Sequence, residues 1–423
     1  MAARWQIAVA RYANLEAIAH LRRGIEALSS FADGATKDRL ELDLQFALGP
    51  CLLATEGPRS AATAATVTRA RELCERLGSA PEYPHVMHWL AHIHVVRGAL
   101  PEALNGFMAV VGLAEAAGNR PAAVNAMRAS GSTLLWMGRP VEARRMFERS
   151  LAEFDMCDEA GSLATRAAGR DAGVASMAMM GWTLWLLGYP DMGRAVAGAA
   201  LQRAEAIGRP HTQAYAAYYA SVLHALCYEP LVARTHAERC LALSEEHGFG
   251  HWGNLSRAVR GICENQLDPS ADSLAAVSSE LAEFVGTGYL GGVTTLYALL
   301  AQAFLAKRQL MPAREIISKG LATSERFFEA ELLRLKVCAL VIEGGSGMLT
   351  NAQKLLEESL AVAQSQNARS LELRAATDLA RLRRDQGRLT EARELLAPVC
   401  GWFTEGFDTA DLQDAAKLLA ELA

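Results

Sequence analysis

Along most of the chain apolar residues recur at three- and four-residue steps, and Gly or Pro interrupts them at nearly regular intervals. That is the pattern of helices separated by short turns. The stretch GWTLWLLGYPDMGRAVAGAA, residues 181–200, sets the type. An apolar helix closes at Gly188, a turn follows at Tyr189-Pro190, and a second helix carries Gly193, Ala197 and Ala200 on one face. Small residues so placed let two helices pack closely. Comparable hairpins recur before and after it at a spacing of roughly 40 residues, within the range of helical repeats.

Residues 5–31 read as one or two helices, with Leu15, Ile18, Leu21, Ile25 and Leu28 on one side, like the second half of a repeat. A long helix is expected over 37–53, kinked at Gly49-Pro50; a small-residue connection with Pro58 leads to another helix, which ends at Gly78. Residues 85–118 give a helix, a turn at Gly98 with Pro101, and a second helix with Ala103 and Phe107. Residues 124–154 repeat this with Gly131, Leu134, Gly138, Ala143 and Phe147. These offsets match the tetratricopeptide signature, in which such residues fill the contact between paired helices.

The segment CDEAGSLATRAAGRDAG, residues 157–173, reads as an excursion between repeats. Pairs resume over 215–248, where Ala233, Ala237 and Cys240 build the second helix, and more weakly over 253–284. Further pairs are expected over 296–324 with a turn at Pro312, over 329–364 around the Gly344-Gly345-Ser346-Gly347 loop, and over 371–399 with a turn at Gly387. The last segment reads as a helix covering the open end of the stack, started by Asp411. The expected fold is all-α: one tetratricopeptide-like superhelix, with divergent repeats over 1–80, repeats over 81–400 and a cap over 401–423.

The segments YANLEAIAHLRRG, ARELCERLG, GWTLWLLGYPD, SLELRAATDLARLRRDQGR and GWFTEGFDTADL resemble the C-terminal tetratricopeptide-type region of large bacterial regulators. In that family a class III adenylate/guanylate cyclase-like domain or another output domain precedes a STAND-type ATPase and then the helical array. The resemblance implies a regulatory or scaffolding role, with an ATPase or cyclase output domain among the partners. It carries neither activity onto this chain, whose first residue already lies inside the repeats. Ala172 stands where members of the family commonly have proline.

Composition changes this picture little. A chain of 423 residues suggests two or three globular domains, but a repeat array needs no single large core. With 51% hydrophobic and 21% charged residues it lies in the folded range. A net charge of −5 gives no global basic footprint, so direct nucleic-acid contact is not expected. Eight scattered cysteines without a CxxC pair read as reduced, buried residues of a cytoplasmic protein. The uncharged run 172–190 has the length of a membrane span, but Ser176, Thr183, its glycines and its closing turn fit the repeats instead.

No GxxxxGK[ST] phosphate loop and no GxSxG elbow is present, and GGSGMLTN lacks the lysine of a phosphate cradle. Non-catalytic binding is therefore expected, with no cofactor and no metal assigned. In PHVMHWLAHIH, His85, His88 and His92 fall at i, i+3 and i+7, which leaves a metal-binding or enzymatic alternative. HWLAH lacks the glutamate of an HExxH site.

By the resemblance, the first helix of each hairpin lines the concave surface. That places there His85, His88 and His92; Asn125, Arg128 and Trp136; Trp182 and Trp185; Tyr215 and Tyr218; and, near the C-terminus, Arg374, Arg381 and Arg384. Aromatic residues at one end and arginines at the other suit an extended acidic or amphipathic peptide. On this reading Trp185→Ala weakens partner capture with only a modest loss of stability. The competing reading is that Trp182 and Trp185 are core and the arginines form a solvated face. A third reading makes the array the signal-sensing domain of a transcriptional regulator.

Overall fold

The structure, a computed structural model, describes residues 2–56, 60–78, 82–155, 171–268, 270–286, 291–344 and 348–423. Among them it forms twenty α-helices and no strand. After α1 (Ala2–Ala27) and a short 3-10 turn come α2 (Ala35–Thr55) and α3 (Ala61–Leu77). The hairpins α4 (Tyr83–Val96) with α5 (Leu100–Ala116) and α6 (Arg120–Trp136) with α7 (Pro140–Phe154) follow. Next are α8 (Ala172–Leu186) with α9 (Pro190–Ile207), then α10 (Pro210–Leu226) with α11 (Pro230–His247). The second half holds α12 (Gly250–Leu267) with α13 (Leu274–Gly286), and α14 (Val293–Ala306) with α15 (Leu310–Leu321). It ends with α16 (Glu329–Glu343) and α17 (Met348–Gln366), α18 (Arg369–Asp385) and α19 (Leu389–Gly401), and α20 (Ala410–Glu421).

The same turn joins the helices of many pairs, and its chemistry is local. The first helix ends with a residue in the left-handed region: Gly98, Gly138, Gly188 and Gly387 at φ 75°, 75°, 90° and 77°. The next amide reaches back into the last turn, as in Arg139 N to Leu134 O (2.9 Å) and Tyr189 N to Leu184 O (2.8 Å), which satisfies carbonyls the helix would leave bare. A proline, whose missing N–H costs nothing at that position, then opens α7, α9 and α11. Tyr228 and Arg308 take the left-handed position elsewhere, at φ 59° and 55°.

Within each hairpin the small residues do what their spacing predicts. A Cβ on Gly193 would stand 2.8 Å from the Gly181 carbonyl oxygen, so α8 and α9 meet backbone to backbone. Gly131 leaves room for the Phe147 ring, whose nearest atom would lie 2.7 Å from an added Cβ. Two local expectations differ. Pro312 lies in the first turn of α15, and the chain reverses earlier, at Arg308. The residue before α20 is Thr409, without a side-chain cap, and Asp411 inside the first turn accepts from Arg374 instead. α2 runs as one helix through Gly49-Pro50. Most of the 157–173 excursion and residues 345–347 of the glycine loop lie outside the described residues.

The array winds far enough for its later repeats to rest on its earlier ones. Arg326 N donates to Trp136 O (2.7 Å), Ser370 Oγ to Trp185 O (2.5 Å), and Gly406 N to Asp191 Oδ2 (2.9 Å). The partners keep the same order on both coils. At Gly98, Gly138 and Gly188 an added Cβ would meet Ser324 Oγ at 2.7 Å, Gln366 Nε2 at 2.8 Å and the Trp402 ring at 2.5 Å. One buried cluster accordingly spans from Ala91 to Leu371 and holds Trp136, Trp182 and Trp185 with Phe327 and Phe328. Among the described residues no helix is long and apolar enough to cross a membrane.

Candidate functional site

Of the four histidines of α4, the three expected to cluster diverge. His85 is buried edge-on to Phe46, with ring centroids 6.4 Å apart, and burial lowers its pKa. His88 lies on the Phe107 ring at 4.9 Å, and His92 faces a cavity in the bore. Among the described residues no group of three or more His, Cys, Asp or Glu side chains is arranged to hold a metal ion.

Further along, the expected concave groove is filled by the chain itself. Trp182 donates its indole N–H to Tyr219 O (2.9 Å). Trp185, 2% exposed, stacks on Phe328 at 6.2 Å and lies 5.1 Å beneath the Arg374 guanidinium. Tyr218 is buried among the rings of Trp182, Tyr219 and Trp252. Trp182, Trp185 and Tyr218, expected on an open groove, are thus packed among other side chains, Trp182 and Tyr218 by rings of adjacent repeats and Trp185 by Phe328 and Arg374 of the second coil.

The arginine end is likewise taken up internally. Arg374 bonds Leu226 O (2.8 Å), Glu331 (3.2 Å) and Asp411 (3.0 Å) and also stands over the Tyr228 ring. Burial works to raise the Glu331 pKa, but Arg334 and Arg374 overcome it and hold the carboxyl at about 2. Arg381 pairs with Asp378 and Asp414, and Arg384 with Asp385 and Glu421. These side chains knit the last repeats together instead of forming an open basic wall.

Four of the expected residues do converge. His92 from α4, Arg128 and Trp136 from α6, and Tyr215 from α10 line one cavity of about 210 Å³. The opposite wall adds His211 and Tyr219 from α10 and His251 and Trp252 from α12. Asn119 caps the start of α6 by accepting from Ala122 N. Nine residues on, Arg128 is 6% exposed and its Nε donates to Asn125 Oδ1 (3.2 Å). On the other side Trp252 Nε1 donates to His211 Nε2 at 3.0 Å. An indole nitrogen can only donate, so His211 Nε2 is the acceptor. The Tyr215 and Trp252 rings meet edge to face at 5.1 Å, and His251 abuts Trp252 at 4.6 Å.

The fold is an all-α, tetratricopeptide-like superhelix. Three solved structures resemble it in helix arrangement at low sequence identity. Yeast Tom70 is 12% identical, with a TM-score of 0.42 over 97% of this chain and 95% of that one. A tetratricopeptide repeat protein from Parabacteroides merdae is 11% identical, with a TM-score of 0.35 over 69% and 98%. A monomeric mutant of IFIT1, solved with Gppp-AAAA, is 14% identical, with a TM-score of 0.34 over 90% and 94%. No protein-family model and no curated protein matches the chain.

His211, Tyr219, His251 and Trp252 were not among the residues expected from sequence. A signal for them exists. His211 and Tyr219 stand four residues either side of Tyr215, hence on the same helical face. His251 repeats His211 at the repeat spacing, just as Arg128 repeats His88 and Ser132 repeats His92.

Proposed function

We propose that the chain is a non-catalytic regulatory scaffold that takes a ligand in its bore and passes the occupancy to a protein partner, an ATPase or cyclase output domain being the partner the family resemblance implies. One observation supports the reading above others. The cavity wall is assembled from α4, α5, α6, α10 and α12, so an occupant touches several repeats at once. Such a bridge would add to the coil-on-coil contacts, such as Arg326 N to Trp136 O, that already link distant repeats, and its presence or absence can shift how the repeats sit. The binding residues are then His92, Arg128, Trp136 and Tyr215 together with the opposite wall, and His88 and Asn125 belong to the same inner surface.

The test is recovery of the partner. Tagged chain is crosslinked in its native cells, the co-purifying protein is identified, and the complex is rebuilt from purified components and sized by sedimentation. A stoichiometric complex between the chain and a regulatory output protein is expected. A chain that stays alone at every concentration, or that turns over a substrate by itself, would end this reading.

A further inference from the structure

We propose that a second pocket, at the turn ends of α10, α12 and α14, is a site for a small uncharged molecule with amide N–H donors, of the carboxamide or cyclic ureide class. The inference goes beyond the scaffold reading and stands apart from the bore cavity: among the described residues the two share no lining side chain.

The hydrogen-bonding groups come first. Tyr228 and Pro230 enter from the α10–α11 turn, Asn265 and Gln266 from the end of α12, and Gln302 and Lys307 from the end of α14. Asn265 is 7% exposed, and its Nδ2 donates to Gly261 O at 2.9 Å and to Ser273 Oγ. A carbonyl can only accept, so the amide cannot turn over, and Oδ1 is held on its other side. That oxygen is buried with no partner among the described residues, and so is Gln266 Oε1. Buried acceptors of this kind are met by donors brought from outside. Tyr228 offers the converse: its oxygen accepts from Gln302 Nε2 (2.9 Å), which leaves its own proton to donate.

Charge and shape narrow the class. Among the described residues the lining holds no acidic side chain, and its one cation, Lys307, donates to Ala271 O. A ligand cation would be buried without a counter-ion, and a carboxylate would face the Asn265 and Gln266 oxygens. An uncharged amide suits both sides, since its N–H groups meet those oxygens and its carbonyl meets the Tyr228 hydroxyl. Tyr228 also takes the left-handed turn position, at φ 59°, that glycine fills at Gly98, Gly138 and Gly188. A bulky residue is strained there, and its ring is clamped, with the Arg374 guanidinium 4.8 Å from the ring centroid. The wall is therefore set before a ligand arrives. At about 390 Å³ the pocket lies within the roughly 300–1,000 Å³ of small-molecule sites.

The experiment is calorimetric titration of the full-length chain with benzamide and with uracil. Their methylated forms, N,N-dimethylbenzamide and 1,3-dimethyluracil, are titrated in parallel, together with benzoate and benzylammonium. One-to-one binding of benzamide, uracil or both is expected, roughly tenfold or more tighter than the methylated form, which leaves the buried oxygens unmet. Benzoate and benzylammonium should bind no better than the dimethylamide. Asn265→Ala should remove the preference for the N–H form, and Tyr228→Phe should weaken that form severalfold. If Asn265→Ala does not fold, Tyr228→Phe still locates the binding. No saturable binding up to about 1 mM, as when water alone serves those oxygens, overturns the proposal. So does equal binding of an N–H form and its methylated form, or tighter binding of either ion. Binding that neither substitution alters lies elsewhere and overturns it too. All of these outcomes leave the scaffold reading standing, since no partner protein enters this assay.

Discussion

Removing the Trp185 side chain opens a hole between Phe328 and the Arg374 guanidinium, where the ring is 2% exposed. Trp185→Ala should therefore lose about 3–5 kcal/mol in urea unfolding, the range for truncating a core aromatic, in place of the modest loss expected of a groove residue. The side chain is buried, and the sequence left Trp185 either on the concave surface or in the core. It could not tell an inner wall open to ligands from one covered by residues 140 and more positions away.

Glu325 gives a second residue-scale prediction. It is buried and accepts from Thr294 N (3.0 Å), Thr294 Oγ1 (2.8 Å) and Gly292 N, and burial pushes its pKa up from 4.5 to about 7 despite those bonds. The folded state therefore holds the proton more tightly than the unfolded state. Its contribution is fully present below about pH 4.5 and is lost as pH rises to about 7, a change on the order of 3 kcal/mol. His85 and His236, whose pKa values burial lowers, pull the other way across part of that window. The measurement is thus the difference in urea midpoint between the natural chain and Glu325→Gln, which should favour the natural chain increasingly from pH 7 to pH 5. A difference independent of pH would remove Glu325 from this role.

At the scale of elements, the α8–α9 hairpin offers a paired test inside one helix. Gly193→Ala puts a methyl 2.8 Å from a backbone oxygen of the facing helix, and the two helices must part to admit it. A loss of about 1–3 kcal/mol is expected, as for overpacking elsewhere. Gly198→Ala, five residues on, meets nothing within 4 Å and should gain up to about 1 kcal/mol of helix propensity. Melting temperatures moving in the same direction would contradict the packing described. This hairpin was legible in the sequence because its determinants are local: a left-handed glycine, a proline one residue after the turn, and small residues at three- and four-residue steps. Pro312 misled for a related reason, since proline is as comfortable in the first turn of a helix as in the turn before it.

For the whole molecule the decisive contacts join residues roughly 150 to 230 positions apart, and no local pattern announces them. They follow from the summed rotation of many hairpins, each small. Trp402 packs on Gly188, lies 5.5 Å from the Tyr189 ring and stands under Arg369 at 5.1 Å. Trp402→Ala should loosen the upper coil: a larger radius of gyration in solution scattering and faster amide exchange over 323–328, with helicity by circular dichroism retained. An unchanged radius and unchanged exchange would mean that the coils stay together without it.

The ordered pairing of coil on coil also limits how such a chain can change length. Excising one hairpin from the stretch between Gly98 and Ser324 would advance every later turn by one step, so that all the glycine notches would lose their fillers together. A hairpin appended beyond Asp408 would disturb none of them. Growth by duplication is thus tolerated at the far tip and penalised in the interior, as in a screw whose thread can be extended only at its end.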